Sequence, residues 1–248
     1  VEINSGFSAL ACALALGRRR NLRGVPPHDL TYTLAGAAML WFGWFGFNAG
    51  SSLAADGLAA QAFVNTNMAG AVAAIVWATL DWTIQKKPTI LGFATGGVAG
   101  LVVITPAAGY VNVAGAMALG AAAGLVCYFM VVFVKNTLHY DDSLDAFGVH
   151  GIAGLLGILG TGLLADPAIT RGFAMNGGNG VAGLAFGGMS LFGIQALAAL
   201  VTIFASFFGS SAILWVVDRT IGLRVTEKEE AIGLDATQHN ERAYTVIE

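Results

Sequence analysis

The chain has 248 residues, of which 56% are hydrophobic and only 11% charged, with a net charge of −3. An ordinary soluble domain carries about 25% charged residues, so this composition excludes a soluble enzyme and points to a protein built into a membrane. Residues 1–16 are apolar except for Glu2 and run straight into Arg18, Arg19 and Arg20. A signal peptide carries its positive charge before the apolar run, not after it. The segment has the pattern of the later part of a spanning helix, as expected of the C-terminal portion of a longer protein.

Further charge-free stretches cover 31–53, 61–80, 89–111, 113–134, 146–165 and 182–217. Each is about as long as a bilayer-crossing helix requires, near 20 residues, and the last exceeds that. The runs are continuous, whereas a membrane barrel would alternate. The expected fold class is therefore an all-α polytopic membrane protein. Glycine spacing fits closely packed helices, with Gly-x-x-x-Gly at Gly96–Gly100, Gly120–Gly124 and Gly183–Gly187.

Charge placement sets the expected orientation. With the tail in the cytoplasm, the loops at 17–30, 81–88 and 135–145 lie on the same side, holding Arg18, Arg19, Arg20, Arg23, Lys86, Lys87 and Lys135. The tail adds Arg219, Arg224, Lys228 and Arg242, and of the 12 Lys and Arg only Arg171 falls outside. That is the bias the positive-inside rule describes. After about residue 218 the chain turns polar, with Glu227, Glu229, Glu230, Asp235 and Glu241. The expected division is a membrane domain over 1–222 and a cytoplasmic tail over 223–248. Cys12 and Cys127 have no Cys or His neighbour at a metal-ligand spacing and read as packing residues. No metal, cofactor, catalytic triad or phosphate loop is implied, and no nucleic-acid partner is expected.

Three groups of residues carry possible chemistry. In Trp44-Phe45-Gly46-Phe47-Asn48-Ala49-Gly50-Ser51, helical spacing places Trp44, Phe47 and Ser51 on one face. Aromatic faces attract small cations and a hydroxyl accepts their hydrogen bonds; an aromatic packing stripe has the same spacing. His150 lies in the apolar run after Asp145. An ionisable group at membrane depth marks a substrate or proton route, and histidine titrates near neutral pH; a core histidine packed between helices is the alternative. Five residues of helix turn the chain by about 500°, so Asp145 and His150 diverge by about 140° and the aspartate is expected to cap or brace the helix start. Glu2 is a further intramembrane candidate.

Together these motifs resemble those of ammonium transporters of the Amt/Mep class. The resemblance is carried by Trp44–Ser51, by Ala62-Phe63-Val64-Asn65-Thr66, by Gly100-Leu101-Val102-Val103-Ile104-Thr105-Pro106-Ala107-Ala108-Gly109-Tyr110, and by Asp145-Ala146-Phe147-Gly148-Val149-His150-Gly151. In the tail it continues through Gly222-Leu223-Arg224-Val225, Gly233-Leu234-Asp235 and Ala243-Tyr244. The motifs stand in family order and cover nearly the whole chain. The resemblance implies an ammonium-transporter-type helical bundle, a homotrimer of eleven-helix subunits in the bacterial inner membrane, each with its own pore. This chain would supply the end of the fifth helix through the eleventh and the tail.

The same resemblance implies roles. His150 looks like the second of two paired pore histidines, Phe47 like a gate of the outer pore, Ser51 like the hydroxyl of an outer cation site and Trp44 like a pore-wall residue. Asn48, Thr105 and Asp145 are expected to support them. Glu2-Ile3-Asn4 stands where most members read His-Ile-Asn, so Glu2 occupies the position of the first pore histidine. A carboxylate there would stabilise imidazolium or take up the proton itself. His239-Asn240-Glu241 replaces a more usual His-Gly-Glu and is expected to change how the tail turns. The implied function is passage of ammonium or ammonia across membrane lipid, with a trimeric PII signal protein as a partner at the cytoplasmic mouth. An ammonium sensor of the same fold, and a channel for another small neutral solute, are the alternatives.

Overall fold

A computed structural model of the protein describes residues 1–20, 27–173 and 175–242. Among them the regular elements are helical. Helix α1 spans Glu2–Leu16, α2 Leu30–Gly50 and α3 Gly57–Leu80, the last continuing through one π-helical turn at Asp81–Gln85. Helix α4 spans Ile90–Ile104, and α5 spans Val113–Phe129. A π turn at Met130–Val134 joins α5 to the short α6, Lys135–Leu138. A third π turn, Phe147–Gly151, opens α7, Ile152–Leu164. Helix α8 is short (Pro167–Gly172), α9 is long (Met189–Thr220), and the tail holds α10 (Glu227–Ile232) and α11 (Leu234–Gln238).

Four of these helical runs are long and apolar enough to cross a membrane: 57–85, 113–138, 147–164 and 189–220. Helix α2 has the length, with 21 residues, but its Gly, Thr, Tyr and Trp content lowers its hydropathy. The stretch expected as one span over 89–111 is divided. Helix α4 stops at Ile104 after 15 residues, and tight turns follow through 105–111. Pro106 explains the stop: it has no N–H to continue the ladder and its ring crowds the preceding turn. The 182–217 stretch is also corrected, because the helix begins only at Met189. Gly183 and Gly187 flank a 3₁₀ turn, with Gly187 at φ 85°, so this third glycine pair is not a helix face.

The other two glycine pairs build the core. Helices α3, α4 and α5 pack on one another, and α4 and α5 both press on the α3 backbone at Ala69 and Ala73. A Cβ at Gly100 would meet the Ala73 methyl and Gly70 Cα at 2.7 Å, and one at Gly96 would stand 2.9 Å from the Ala73 carbonyl. From α5, a Cβ at Gly120 would reach Ala69 Cα at 2.8 Å, and one at Gly124 the same Ala73 carbonyl at 2.9 Å. Leu101, Val102, Val103 and Ile104 of α4 are wholly buried beside this stack. Many side chains on α2 and α9, among them Met39, Phe42, Leu197 and Phe204, face outward. That distribution suits a chain whose outer surface meets lipid or other apolar protein.

Hydrogen bonds draw three distant segments together at one end. Arg19 grips Asp141 with Nε and Nη2, each at 2.9 Å, and holds that carboxyl below its usual range. Arg18 Nε donates to the His139 carbonyl at 2.6 Å. Arg224 of the tail donates to the carbonyls of Leu16 and Arg18 at 3.0 and 2.6 Å, and pairs with Glu230. Glu230 in turn accepts from the Arg20 amide at 2.6 Å. The basic segments 18–20 and 135 and the tail therefore share one face, as the charge pattern predicts; Arg23 and the Ala243-Tyr244 motif lie outside the described residues. The change expected from Asn240 is small. It adopts φ 53°, the left-handed region that glycine favours and asparagine tolerates.

Replacing Gly100 or Gly120 with leucine forces α4 or α5 off α3, and overpacking of this kind costs about 1–3 kcal/mol or more. Both variants of the full-length protein are expected to unfold at lower temperature in detergent, whereas Gly36→Ala, with open space around it, is expected to be neutral. The tail contact has a pH limit. The Arg20 amide first, then Arg224, hold Glu230 below the usual carboxylate range. A lowered folded-state pKa means stabilisation present above the unfolded value and lost as pH falls through the folded one. Limited proteolysis is expected to cut the tail faster in acid, and faster at neutral pH in Arg224→Ala.

Candidate functional site

The site begins where α1 crosses the start of α7. Gly6 of α1 touches the backbone of Gly151, with no room for a Cβ, and a Cβ on Gly154 would stand 2.9 Å from the Glu2 Cβ and the Ile3 amide. Backbones this close bring Glu2 and His150 face to face. Glu2 Oε2 and His150 Nδ1 are 2.6 Å apart, with the two side chains 11% and 31% exposed. That separation is at the short, charge-assisted end of hydrogen-bond lengths. His150 lies in the π turn, a one-residue widening that re-aims side chains and is frequent at functional sites.

The turn that presents His150 is fixed from below. Asp142 is buried and accepts from the amides of Ala146 and Phe147, at 3.1 and 2.8 Å. The helix-start cap expected of Asp145 thus belongs to Asp142. Asp145 has a left-handed backbone, φ 56°, and pairs with Lys135 rather than with His150. Burial raises the Asp145 pKa, opposed by Lys135. Tyr140 beside it is pushed up to about 12 by burial and by Asp142 and Asp145. Phe147 closes the turn against Phe7 of α1, edge to face at 5.2 Å.

Glu2 also lines a groove of about 530 Å³, shared with Met39, Leu40, Gly43, Trp44 and Phe47 of α2. Trp44 is buried, and its Nε1 donates to Thr105 Oγ1 at 2.8 Å, which itself donates to the Leu101 carbonyl. Thr105 is thus the strut that ties the tryptophan to the end of α4. Phe47 stands edge-on to Trp44 at 5.9 Å and is 42% exposed. Ser51, one turn further along α2, donates to the Phe47 carbonyl at 2.6 Å. Asn48 points elsewhere: it is buried and donates to Thr66 Oγ1 at 2.9 Å, pinning α2 to α3. Glu2 of α1 and Trp44 and Phe47 of α2 therefore line one groove, His150 meets it through Glu2, Thr105 holds Trp44, and Asn48 and Asp145 bond elsewhere, to Thr66 and Lys135.

Sequence reasoning did not single out Gly6, Gly151, Gly154 or Asp142. Small residues next to the two ionisable ones were a usable signal for the crossing. Asp142, four residues before Ala146, was a usable signal for the cap. Asn65 was quoted only within a motif. It is wholly buried, donates from Nδ2 to the carbonyls of Ala108 and Val111 at 2.8 and 2.7 Å, and so closes the turns that follow Pro106. Among the described residues no group of three His, Cys, Asp or Glu is placed to hold a metal.

Residues 1–244 match the profile of the Ammonium Transporter Family. The chain is 44% identical over 244 residues to an ammonium transporter of Bacillus subtilis, covering 98% of this chain and 59% of the relative. It is 46% identical over 248 residues to ammonium transporter Amt1 of Archaeoglobus fulgidus, covering 99% and 60%. The chain thus spans about three fifths of the length of these relatives. Its fold is similar to the crystal structure of Candida albicans Mep2, with a TM-score of 0.83 and 35% identity over 91% of this chain and 51% of that one. A structure described as a sensor Amt protein matches with a TM-score of 0.81 and 31% identity over 96% and 58%. The profile match over nearly the whole length, the two relatives and the shared fold agree, and the chain belongs to the ammonium transporter family.

Proposed function

We propose that the chain forms part of a pore that carries ammonium across a membrane as ammonia, with the proton handled by Glu2 and His150. The observation that carries this reading is the 2.6 Å contact of these two side chains beside an apolar groove walled by Trp44 and Phe47. Ammonium moved intact through an apolar passage loses most of its hydration, at a cost of many kcal/mol. Ammonia is neutral and makes fewer hydrogen bonds, so deprotonation removes most of that cost. In this scheme the aromatic face of Trp44 and the Ser51 hydroxyl hold the cation at the outer end, and Phe47 keeps water out of the groove. Glu2 engages His150 Nδ1, which leaves Nε2 as the ring nitrogen that faces the solute. A proton left behind has two acceptors within reach, the carboxylate and the imidazole, 2.6 Å apart.

The full protein is read as a homotrimer in a bacterial inner membrane, with a membrane domain over 1–222 and a cytoplasmic tail over 223–248. It acts as a transporter rather than an enzyme. The gathering of Arg18, Arg19, Arg20, Lys135 and Arg224 at one end supports the cytoplasmic placement of the tail. A PII signal protein is the expected partner at that face, where the basic segment and the acidic tail offer charge for docking. A second reading, an ammonium sensor, is favoured by the likeness to the sensor Amt protein. Reconstitution separates the two, because a sensor binds ammonium without sustained flux.

Three outcomes test this reading in the full-length protein. His150→Ala is expected to abolish or strongly alter methylammonium uptake into vesicles, and unchanged rate, pH dependence and selectivity would remove His150 from the mechanism. Glu2→His is expected to shift the pH profile of uptake, since an imidazole pair replaces the carboxylate–imidazole pair; an identical profile makes Glu2 a bystander. Truncation before Arg224 is expected to lower or alter transport with the trimer intact. Full-rate transport and unchanged binding of the PII protein after truncation would leave the tail with neither role.

A further inference from the structure

We propose that Asp142 is the positioning residue of the ionisable pair: its carboxylate holds the turn before α7 in the π register, and that register, rather than the course of α7, aims His150 at Glu2. For its effect on transport the inference rests on the pore reading above. In this turn the Ile152 amide donates to the carbonyls of Phe147 and Val149, five and three residues back. An α-helix would use Gly148, four back. The turn thus holds one residue more than α-helical winding does. Rewinding it as α-helix rotates the residues ahead of it by up to about 100° around the axis of α7, and His150, inside the turn, by part of that angle. A 2.6 Å contact between two short side chains does not survive such a rotation.

The turn bridges two fixed points. Beyond it, α7 cannot rotate to compensate, because its glycines are pressed against other elements. A Cβ at Gly154 would stand 2.9 Å from Glu2 Cβ, and one at Gly157 2.9 Å from Pro106 Cγ. Ahead of the turn, Asp142 is buried and accepts from the amides of Ala146 and Phe147, one with each carboxylate oxygen, at 3.1 and 2.8 Å. Its backbone is pinned as well. The Asp142 carbonyl accepts from Lys135 Nζ at 3.2 Å, and the neighbouring Asp141 is gripped by Arg19. Rewinding the turn would carry both amides away from a carboxylate that cannot follow, and a buried carboxylate stripped of its donors is costly. Asp142 therefore opposes the rewinding without touching Glu2, His150 or the groove. Both of its oxygens are used, so asparagine, with one acceptor and an NH₂ in place of the other, holds the turn less firmly.

The test uses full-length protein in lipid, labelled with ¹⁵N in the histidine rings, with the His150 signals identified by their loss in His150→Gln. In the wild-type background Glu2→Gln is expected to move the His150 ring signals, because it changes the group 2.6 Å from Nδ1. In Asp142→Ala the same Glu2→Gln change is expected to leave them unmoved, a coupling that a general loss of stability would not abolish in the folded protein. Asp142→Ala is also expected to lower the maximal rate of methylammonium uptake by about tenfold, with the half-saturating concentration within about twofold. His150 signals that still respond to Glu2→Gln in Asp142→Ala, or uptake by that variant at the wild-type rate, overturn the proposal. If Asp142→Ala does not assemble, Asp142→Asn supplies the same comparison with one acceptor kept. A wild-type protein whose His150 signals ignore Glu2→Gln would sink the carboxylate–imidazole pair, and the pore reading with it, instead.

Discussion

Everything proposed for the site depends on how closely α1 approaches the start of α7. Gly6 lies against Gly151, and Gly154 lies against Glu2 and Ile3, with no side chain between the backbones. This close approach sets the start of α1 beside the start of α7, where Glu2 and His150 meet at 2.6 Å. Any Cβ at Gly6 would part the helices and leave a carboxylate and an imidazole at membrane depth without each other. An ionisable group in that setting is costly unless paired, so the glycines make the chemistry affordable as well as near.

That crossing is held from the basic end of the bundle by charges that do not line the groove. Asp142 caps the turn that carries His150, and Asp141, its neighbour, is gripped by Arg19 at the end of α1. The two helices of the pair are therefore tied twice, once by backbone contact in the apolar region and once by an ion pair outside it. Arg224 adds the tail to the same knot through the carbonyls of Leu16 and Arg18. A bidentate arginine–carboxylate pair keeps its geometry better than an isolated lysine pair would, which suits a contact that fixes relative helix position. The tail is thus joined through the carbonyls of Leu16 and Arg18 to the segment that carries Arg19, and through Asp141 to the loop before His150.

The sequence made the membrane character and the basic end legible, because hydrophobic continuity and charge bias are properties of composition along the chain. Helical spacing put Trp44, Phe47 and Ser51 on one face and membrane depth singled out His150 and Glu2, but the meeting of Glu2 with His150, and with Trp44 and Phe47 at the groove, is tertiary. What stayed hidden depended on backbone detail. Pro106 sits inside an apolar run, so hydropathy alone carried the expected helix past Ile104 to residue 111. The glycines at 183 and 187 have the spacing of a helix-packing pair, yet Gly187 takes a left-handed φ that ends any helix there. The cap went to Asp142 rather than Asp145 because Asp145 has a left-handed backbone and its carboxylate is taken by Lys135, and neither is visible in side-chain periodicity.

The two walls of the groove are built differently. The wall formed by α2 rests on α3, α4 and α5, packed on one another through glycine faces, with Asn48 on Thr66 and Trp44 on Thr105 tying α2 to them. The wall that carries the ionisable pair rests on one glycine crossing and a set of exposed or half-exposed ion pairs. Packed backbone contacts are insensitive to salt and pH, whereas ion pairs near water are screened and titrate. The aromatic residues thus stand on the wall held by packing, and Glu2 and His150 on the wall held in part by ion pairs that salt and pH can loosen.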